Sequence, residues 1–169
     1  MLNNNNLKLR AIELEDLNFI YNLENDPDNW FCGTNLPPYS KFTIKKFIDY
    51  SKNDISITKQ LRLIIEYNKK SVGILDIFEI DFYNERAGLG IIVAKEYRNK
   101  GIASQTLNIA CNYSKNILNL NQLWCQINSL NTFSINLFNK VGFKKTGEMS
   151  NWYKQGDKWI SIFFMQKLL

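Results

Sequence analysis

The chain has 169 residues, 45% hydrophobic and 14% aromatic, which is enough apolar mass for one compact domain and excludes intrinsic disorder. It contains no histidine, which removes Ser–His and Cys–His nucleophile pairs, an imidazole base and imidazole metal ligands. Twenty-one basic against 16 acidic residues leave a net charge of +5, which suits an anionic ligand, while no basic run longer than two residues argues against nucleic acid as the main partner.

Leu7-Lys8-Leu9-Arg10-Ala11-Ile12 alternates with period two and predicts a first strand. Glu13 to Asn25 reads as a helix, with an acidic first turn and a stripe of Leu14, Leu17, Ile20 and Tyr21. Asp26-Pro27-Asp28 ends it, and a loop to Ser40 precedes a second helix facing inward through Ile44, Phe47 and Ile48. Residues 60–67 and 72–82 are expected to form a hairpin about the polar turn Asn68-Lys69-Lys70. Residues 86–93 are apolar enough for a central, two-sided strand. Thr106, Ile109, Ala110, Tyr113 and Ile117 have helical spacing within residues 101–118, and residues 123–127 form a short buried strand. Asn131 can cap a helix with Leu137, Phe138 and Val141 inward and Gly142 at its end. Two last strands, 143–153 and 159–168, flank Gln155-Gly156-Asp157. The outcome is a single mixed α/β domain over residues 1–169 with one central sheet.

Three widely spaced cysteines, Cys32, Cys111 and Cys125, fit reduced thiols better than a disulfide framework or a metal site. No apolar run approaches the ~18 residues that cross a bilayer, and no leader is visible, so the expectation is a cytoplasmic protein with no membrane and no nucleic-acid partner.

The strongest local feature joins the strand ending at Val93 to the next helix through Arg98-Asn99-Lys100-Gly101-Ile102-Ala103. Gly101 and Ala103 keep this turn slim, so successive backbone N–H groups and the helix N-terminus can face an anion, with Arg98 and Lys100 adding full charges. That arrangement is a pyrophosphate cradle. Thirty residues beyond Gly101 comes Asn131-Thr132-Phe133-Ser134-Ile135-Asn136-Leu137-Phe138-Asn139-Lys140-Val141-Gly142-Phe143. The pair of motifs, in this order and separation, resembles the GNAT superfamily of acetyl-CoA-dependent N-acetyltransferases, and the element order agrees from Leu7 to Leu168. Within it, the spermidine/spermine and ribosomal-protein N-acetyltransferase branches are the most similar, through Val72-Gly73-Ile74-Leu75-Asp76-Ile77-Phe78-Glu79-Ile80 and the hairpin Gly147-Glu148 to Trp159.

The resemblance implies a GNAT fold, a mixed, mostly antiparallel sheet with helices on both faces and its fourth and fifth strands splayed around acyl-CoA. It implies that Ile91, Ile92 and Val93 bond pantetheine, and that Arg98, Asn99, Lys100, Gly101, Ile102, Ala103 and Ser104 wrap the pyrophosphate. Asn131 and Ser134 would border pantetheine, with Lys140 near the nucleotide. Phe138 stands where the family usually has a proton-donating tyrosine, and Gly88 where it often has an acid. The implied activity is acetyl transfer from acetyl-CoA to a primary amine, with no metal. A polyamine or other small amine ranks first and a protein or peptide amine second, the alternative being a non-catalytic acyl-CoA-binding or regulatory module. Related branches often form homo-oligomers.

On the acceptor side, Asp76 lies between Ile74 and Phe78 on one strand face. A carboxylate among core-forming neighbours is pushed toward neutrality and can serve as a base, the alternative being a cavity-lining Asp tied to backbone. Glu79, three residues on, is the second catalytic candidate, although an unbulged strand would turn it to the opposite face. Asp28 and Trp30 combine a carboxylate with an aromatic, which suits an ammonium group. Trp152 and Tyr153 near a strand end are candidates for a wall of the acceptor pocket.

Overall fold

A computed structural model describes residues 2–4, 6–30 and 38–169. Cys32 lies outside the described residues, as does the Trp30 side chain. Strands β1 (Asn3–Asn4), β2 (Leu7–Ala11), β3 (Leu61–Tyr67), β4 (Lys70–Asp81), β5 (Arg86–Val93), β6 (Gln122–Asn128), β7 (Lys144–Gln155) and β8 (Lys158–Leu168) form one sheet in the order β1-β2-β3-β4-β5-β6-β8-β7. Neighbours are antiparallel except β5 and β6, which run parallel. Around the sheet stand α1 (Leu17–Glu24), α2 (Pro27–Trp30), α3 (Lys41–Tyr50), α4 (Ile55–Thr58), α5 (Ile102–Asn116) and α6 (Thr132–Lys140).

Alternation along the strands builds two cores. Leu75 and Ile77 of β4, Ala87 and Leu89 of β5, and Leu123 and Cys125 of β6 face one side, where α5 covers them with Ile102, Leu107 and Ala110. Ile64 of β3 and Ile74 of β4 face the other side and meet Ile20 of α1 with Ile44 and Ile48 of α3. The crossover through α5 joins the parallel pair, as such a pair requires. The two-residue turn between β3 and β4 places Asn68 and Lys69 at φ +50° and +63°, the left-handed pair that matches the twist of a hairpin.

Two short helices escape a periodicity reading because four residues carry no repeat. The segment expected only to end α1 starts α2 instead: Pro27 occupies a first helical position, and Asp26 accepts from the Asp28 N–H at 3.0 Å. Asp54 caps α4 by accepting from the Ser56 N–H at 2.7 Å.

Two departures from regular pairing create the site. Pairing between β5 and β6 stops at Gly88 and Trp124, whereas β5 stays bonded to β4 as far as Val93. Leu89–Val93 and Cys125–Asn128 therefore diverge as a fork. In β4, Phe78 pairs with Gly88 but Asp81 pairs with Arg86, so β4 carries one extra residue there. This is a β-bulge, with Glu79 at φ +49°. Ile77 and Ile80 both remain in the α5-side core, so the extra residue leaves Glu79 on the cavity-forming face beside Phe78.

Candidate functional site

The fork gives β5 an edge of backbone groups that β6 does not bond, and such an edge accepts a further extended chain. Ile91, Ile92 and Val93 lie along it. Beyond Val93 the chain makes a 3-10 turn at Lys95–Tyr97 and enters α5 through Gly101. Gly101 has φ +75° and Asn99 +61°, a left-handed path that bends successive N–H groups toward one side. No side chain caps α5, and its first internal bond is Gln105 N to Gly101 O at 3.1 Å, so the N–H groups of Ile102, Ala103 and Ser104 have no partner within the helix. An uncapped 15-residue helix behind a left-handed glycine fits a phosphate-bearing group such as that of acetyl-CoA. Ile102 itself is buried in the core, so only its backbone faces this end.

Arg98 also makes two bonds within the protein. Its Nε donates to the Val93 carbonyl at 2.9 Å and its Nη2 to Asn29 Oδ1 at 2.6 Å. It therefore ties the cradle to the strand end and to buried Asn29 of α2. Lys100 rests its ammonium 5.2 Å from the Tyr97 ring centre.

On the far side of the fork, Asn131 accepts from the Ser134 N–H at 3.0 Å and caps α6, fixing both residues. Phe138 is 4% exposed and meets Phe143 edge to face, their centroids 5.0 Å apart. It supplies no hydroxyl. Lys140 is exposed in the last turn of α6.

The face under α1 and α3 carries a cavity of about 480 Å³ whose lining includes Arg62, Asp76, Phe78, Glu79 and Gly90. Asp76 lines this cavity, and its partner is a side chain in place of the backbone. Arg62 lies opposite it on β3 and grips it with two bonds, Nε to Oδ1 at 2.6 Å and Nη2 to Oδ2 at 2.8 Å. The third nitrogen, Nη1, donates to Glu24 at 2.7 Å, and the guanidinium also covers the Phe47 ring at 4.6 Å. Burial works against the Arg62 charge, but Asp76 and then Glu24 outweigh it and hold the guanidinium above its usual range. Asp76 thus accepts two bonds from Arg62, and Gln60 adds a third at 3.2 Å.

For Glu79 the condition of an unbulged strand is not met, and the bulge brings it to the same cavity as Asp76. Its carboxylate is exposed and carries no ion pair among the described residues. Asp28 lies elsewhere, paired with Lys95 at 2.7 Å, and that ammonium holds its carboxyl below the usual range. Trp152 is 56% exposed within the second bulged stretch, between Met149 and Tyr153, and Tyr153 is half-buried opposite Ile160. Neither of them lines the cavity around Asp76.

Arg62 and Glu24 escaped the sequence reading, since only the register of β3 against β4 puts that cation across from Asp76. The available signal was a lone arginine inside the apolar run Leu61–Tyr67. Among the described residues no helix is long and apolar enough to cross a membrane.

Comparison with known proteins agrees with this geometry. The family described as an acetyltransferase (GNAT) domain matches residues 6–144. Spermidine N(1)-acetyltransferase of Escherichia coli (strain K12) is 30% identical over 146 residues, covering 85% of this chain and 75% of that protein. The crystal structure of spermidine N-acetyltransferase from Vibrio cholerae in complex with CoA and spermine superposes with a TM-score of 0.89 at 26% identity, covering 98% and 96% of the two chains. A dodecameric structure of spermidine N-acetyltransferase from Vibrio cholerae in an intermediate state superposes at 0.80 with 28% identity, covering 98% and 95%.

Proposed function

This chain belongs to the GNAT acetyltransferase family and is an acetyl-CoA-dependent N-acetyltransferase, and from that premise we propose that its acceptor is a polyamine or other small amine, with a protein amine ranked second. The observation that carries the acceptor class is the meeting of Asp76 and Glu79 in one cavity on the sheet face, at the foot of the fork. The lining sets Asp76 and Glu79 against Lys59 and Arg62, and Arg62 is held by Asp76 and Glu24, so Glu79, with no ion pair among the described residues, is the carboxylate placed to meet a cation. The names of the relatives point the same way, and the dodecameric relative supports a homo-oligomer.

Acetyl-CoA supplies the activated acetyl thioester. The edge of Ile91, Ile92 and Val93 would bond its pantetheine arm, and the backbone from Arg98 through Ser104 would receive the pyrophosphate. Asn131, Ser134 and Phe138 would line the thiol side, and Lys140 the nucleotide side. Asp76, held by Arg62, orients the incoming ammonium without turning toward it. Glu79 at the rim accepts the amine proton and passes it to bulk water, the short route that its exposure favours. Phe138 offers no proton to the leaving thiolate, so that proton comes from solvent or from the amine. The free, buried thiols Cys111 and Cys125 support a reducing, cytoplasmic setting.

The test is coenzyme A release from acetyl-CoA with spermidine, spermine, N-terminal peptides and amino sugars, background hydrolysis subtracted. Turnover with the polyamines is the expected result. Turnover confined to peptides or sugars replaces the acceptor class.

A further inference from the structure

Two residues separate α1 from α2, and the second helix opens with a proline. The Leu23 carbonyl in the last turn of α1 would accept from the N–H four residues on, but that residue is Pro27, which has none. Leu23 is 5% exposed, so solvent does not readily take the missing donor's place. The side chain of Asn29 does: its Nδ2 donates to that carbonyl at 2.9 Å.

The other end of the same amide meets a guanidinium. Asn29 Oδ1 accepts from Arg98 Nη2 at 2.6 Å, while Arg98 Nε holds the Val93 carbonyl at the end of β5. Asn29 is 7% exposed, and its backbone N–H bonds the Asp26 carbonyl at 2.9 Å, so main chain and side chain are both fixed. Only a carboxamide meets both demands, because its nitrogen donates to a carbonyl and its oxygen accepts from a cation. A carboxylate serves the second and opposes the first. The nearby pair of Lys95 and Asp28 also straps α2 to the turn after β5, but both side chains are exposed and such pairs hold little.

A line of bonds thus joins the two substrate seats. At one end Arg98 stands between the open edge of β5 and the turn into α5. At the other, Leu23 is followed by Glu24, which accepts from Arg62, and Arg62 grips Asp76 in the acceptor cavity. We propose that Asn29 is a positioning residue for the transfer reaction, the joint that couples the seat of acetyl-CoA to the carboxylates of the acceptor cavity. A seated cofactor steadies Arg98, through Asn29 the end of α1, and through Glu24 and Arg62 the place of Asp76. The cofactor half rests on the acetyl-CoA chemistry of the family, and the amine half on the acceptor proposed above. Such coupling is reciprocal, so a bound amine tightens the cofactor by the same factor.

The test measures hydrogen exchange of the intact protein with and without coenzyme A, and the calorimetric affinity of spermidine for the free protein and for its coenzyme A complex. Coenzyme A is expected to slow exchange at residues 102–104 and, away from the cradle, at residues 21–25. Spermidine is expected to bind the complex about fivefold more tightly than the free protein, the lower end of ordinary coupling. Asn29→Asp keeps an acceptor for Arg98 and sets an oxygen against the Leu23 carbonyl. Coenzyme A affinity and the slowing at residues 102–104 should then persist, while the slowing in α1 and most of the spermidine ratio disappear. Asn29→Leu releases Arg98 as well and should weaken coenzyme A about tenfold, the size of one charge-assisted hydrogen bond. An amide that only supports the fold lowers thermal stability but leaves the ratio of the two spermidine affinities where it was. An unchanged ratio in folded Asn29→Asp therefore overturns the coupling. So does exchange that slows at residues 102–104 but not in α1 of the intact protein, a result that needs no variant. Slowing that reaches α1 and is lost in Asn29→Asp, with spermidine bound by neither form, supports the coupling and overturns the polyamine reading instead.

Discussion

Arg62 holds Asp76 across β3 and β4 with two bonds of 2.6 and 2.8 Å while its remaining arm reaches Glu24 at 2.7 Å. The carboxylate that sequence alone offers as a base carries a two-bond guanidinium partner in the folded protein. Both partners are shielded, with side chains 17% and 18% exposed, so the pair is rigid and removing one partner strands the other.

Asp76→Asn is therefore expected to destabilise the fold by about 3 kcal/mol, because it leaves Arg62 with Glu24 as its only carboxylate. The amine KM should rise about tenfold, while the acid limb of the kcat–pH profile stays in place. Urea unfolding and a pH series on the variant measure both effects. Loss of the acid limb would return the base role to Asp76.

Phe138→Tyr puts a hydroxyl into a pocket that is 4% exposed against Phe143. A hydroxyl without a partner there costs about 1–3 kcal/mol. Acetyl-CoA binding and turnover are both expected to survive, read by calorimetry and coenzyme A release. Loss of acetyl-CoA binding would show that α6 does not border the cofactor.

Gly101 enters α5 at φ +75°, where a side chain adds about 1–2 kcal/mol of strain. Its Cβ would meet only Gln105 Nε2 at 3.6 Å, so crowding is not the issue. Gly101→Ala should lower thermal stability by that amount and raise the acetyl-CoA KM several-fold, with the amine KM little changed.

Asp16 accepts from Arg10 at 2.7 and 2.8 Å, and its side chain is 6% exposed. Burial pushes its carboxyl up, but the bonds from Arg10 and the Glu13 N–H prevail and hold it below the ordinary 3.8. A carboxylate depressed by folding stabilises fully above the unfolded value and loses that contribution as pH falls through the folded one. Unfolding free energy should thus decline as pH drops below about 3.8, and Asp16→Asn should flatten this part of the decline.

Burial raises the Cys111 thiol and pushes the Cys125 thiol up to about 12. Neither is expected to react with iodoacetamide at pH 8 until the chain unfolds. Peptide mass spectrometry with and without urea checks this, residue by residue.

Much of the molecule was legible in the residues. Period-two and helical spacing located the long strands and helices, because burial of one face imposes those periods locally. The two motifs around Gly101 and Asn131 were equally visible, since a left-handed turn and a helix cap depend on residues adjacent in sequence. What tertiary structure alone decided lies between strands. The β3–β4 register set Arg62 against Asp76, and one extra residue in β4 turned Glu79 onto the cavity face. Gly88 read as a missing acid, yet packing makes it the space into which Phe78 fits on the way to Trp124 and Phe164. Residues 46 and 40 apart in the chain meet there only because the sheet order brings β4, β5, β6 and β8 side by side. Local sequence governs conformation, but which side chains share a cavity depends on strand order and register, which are set by burial summed over the whole sheet.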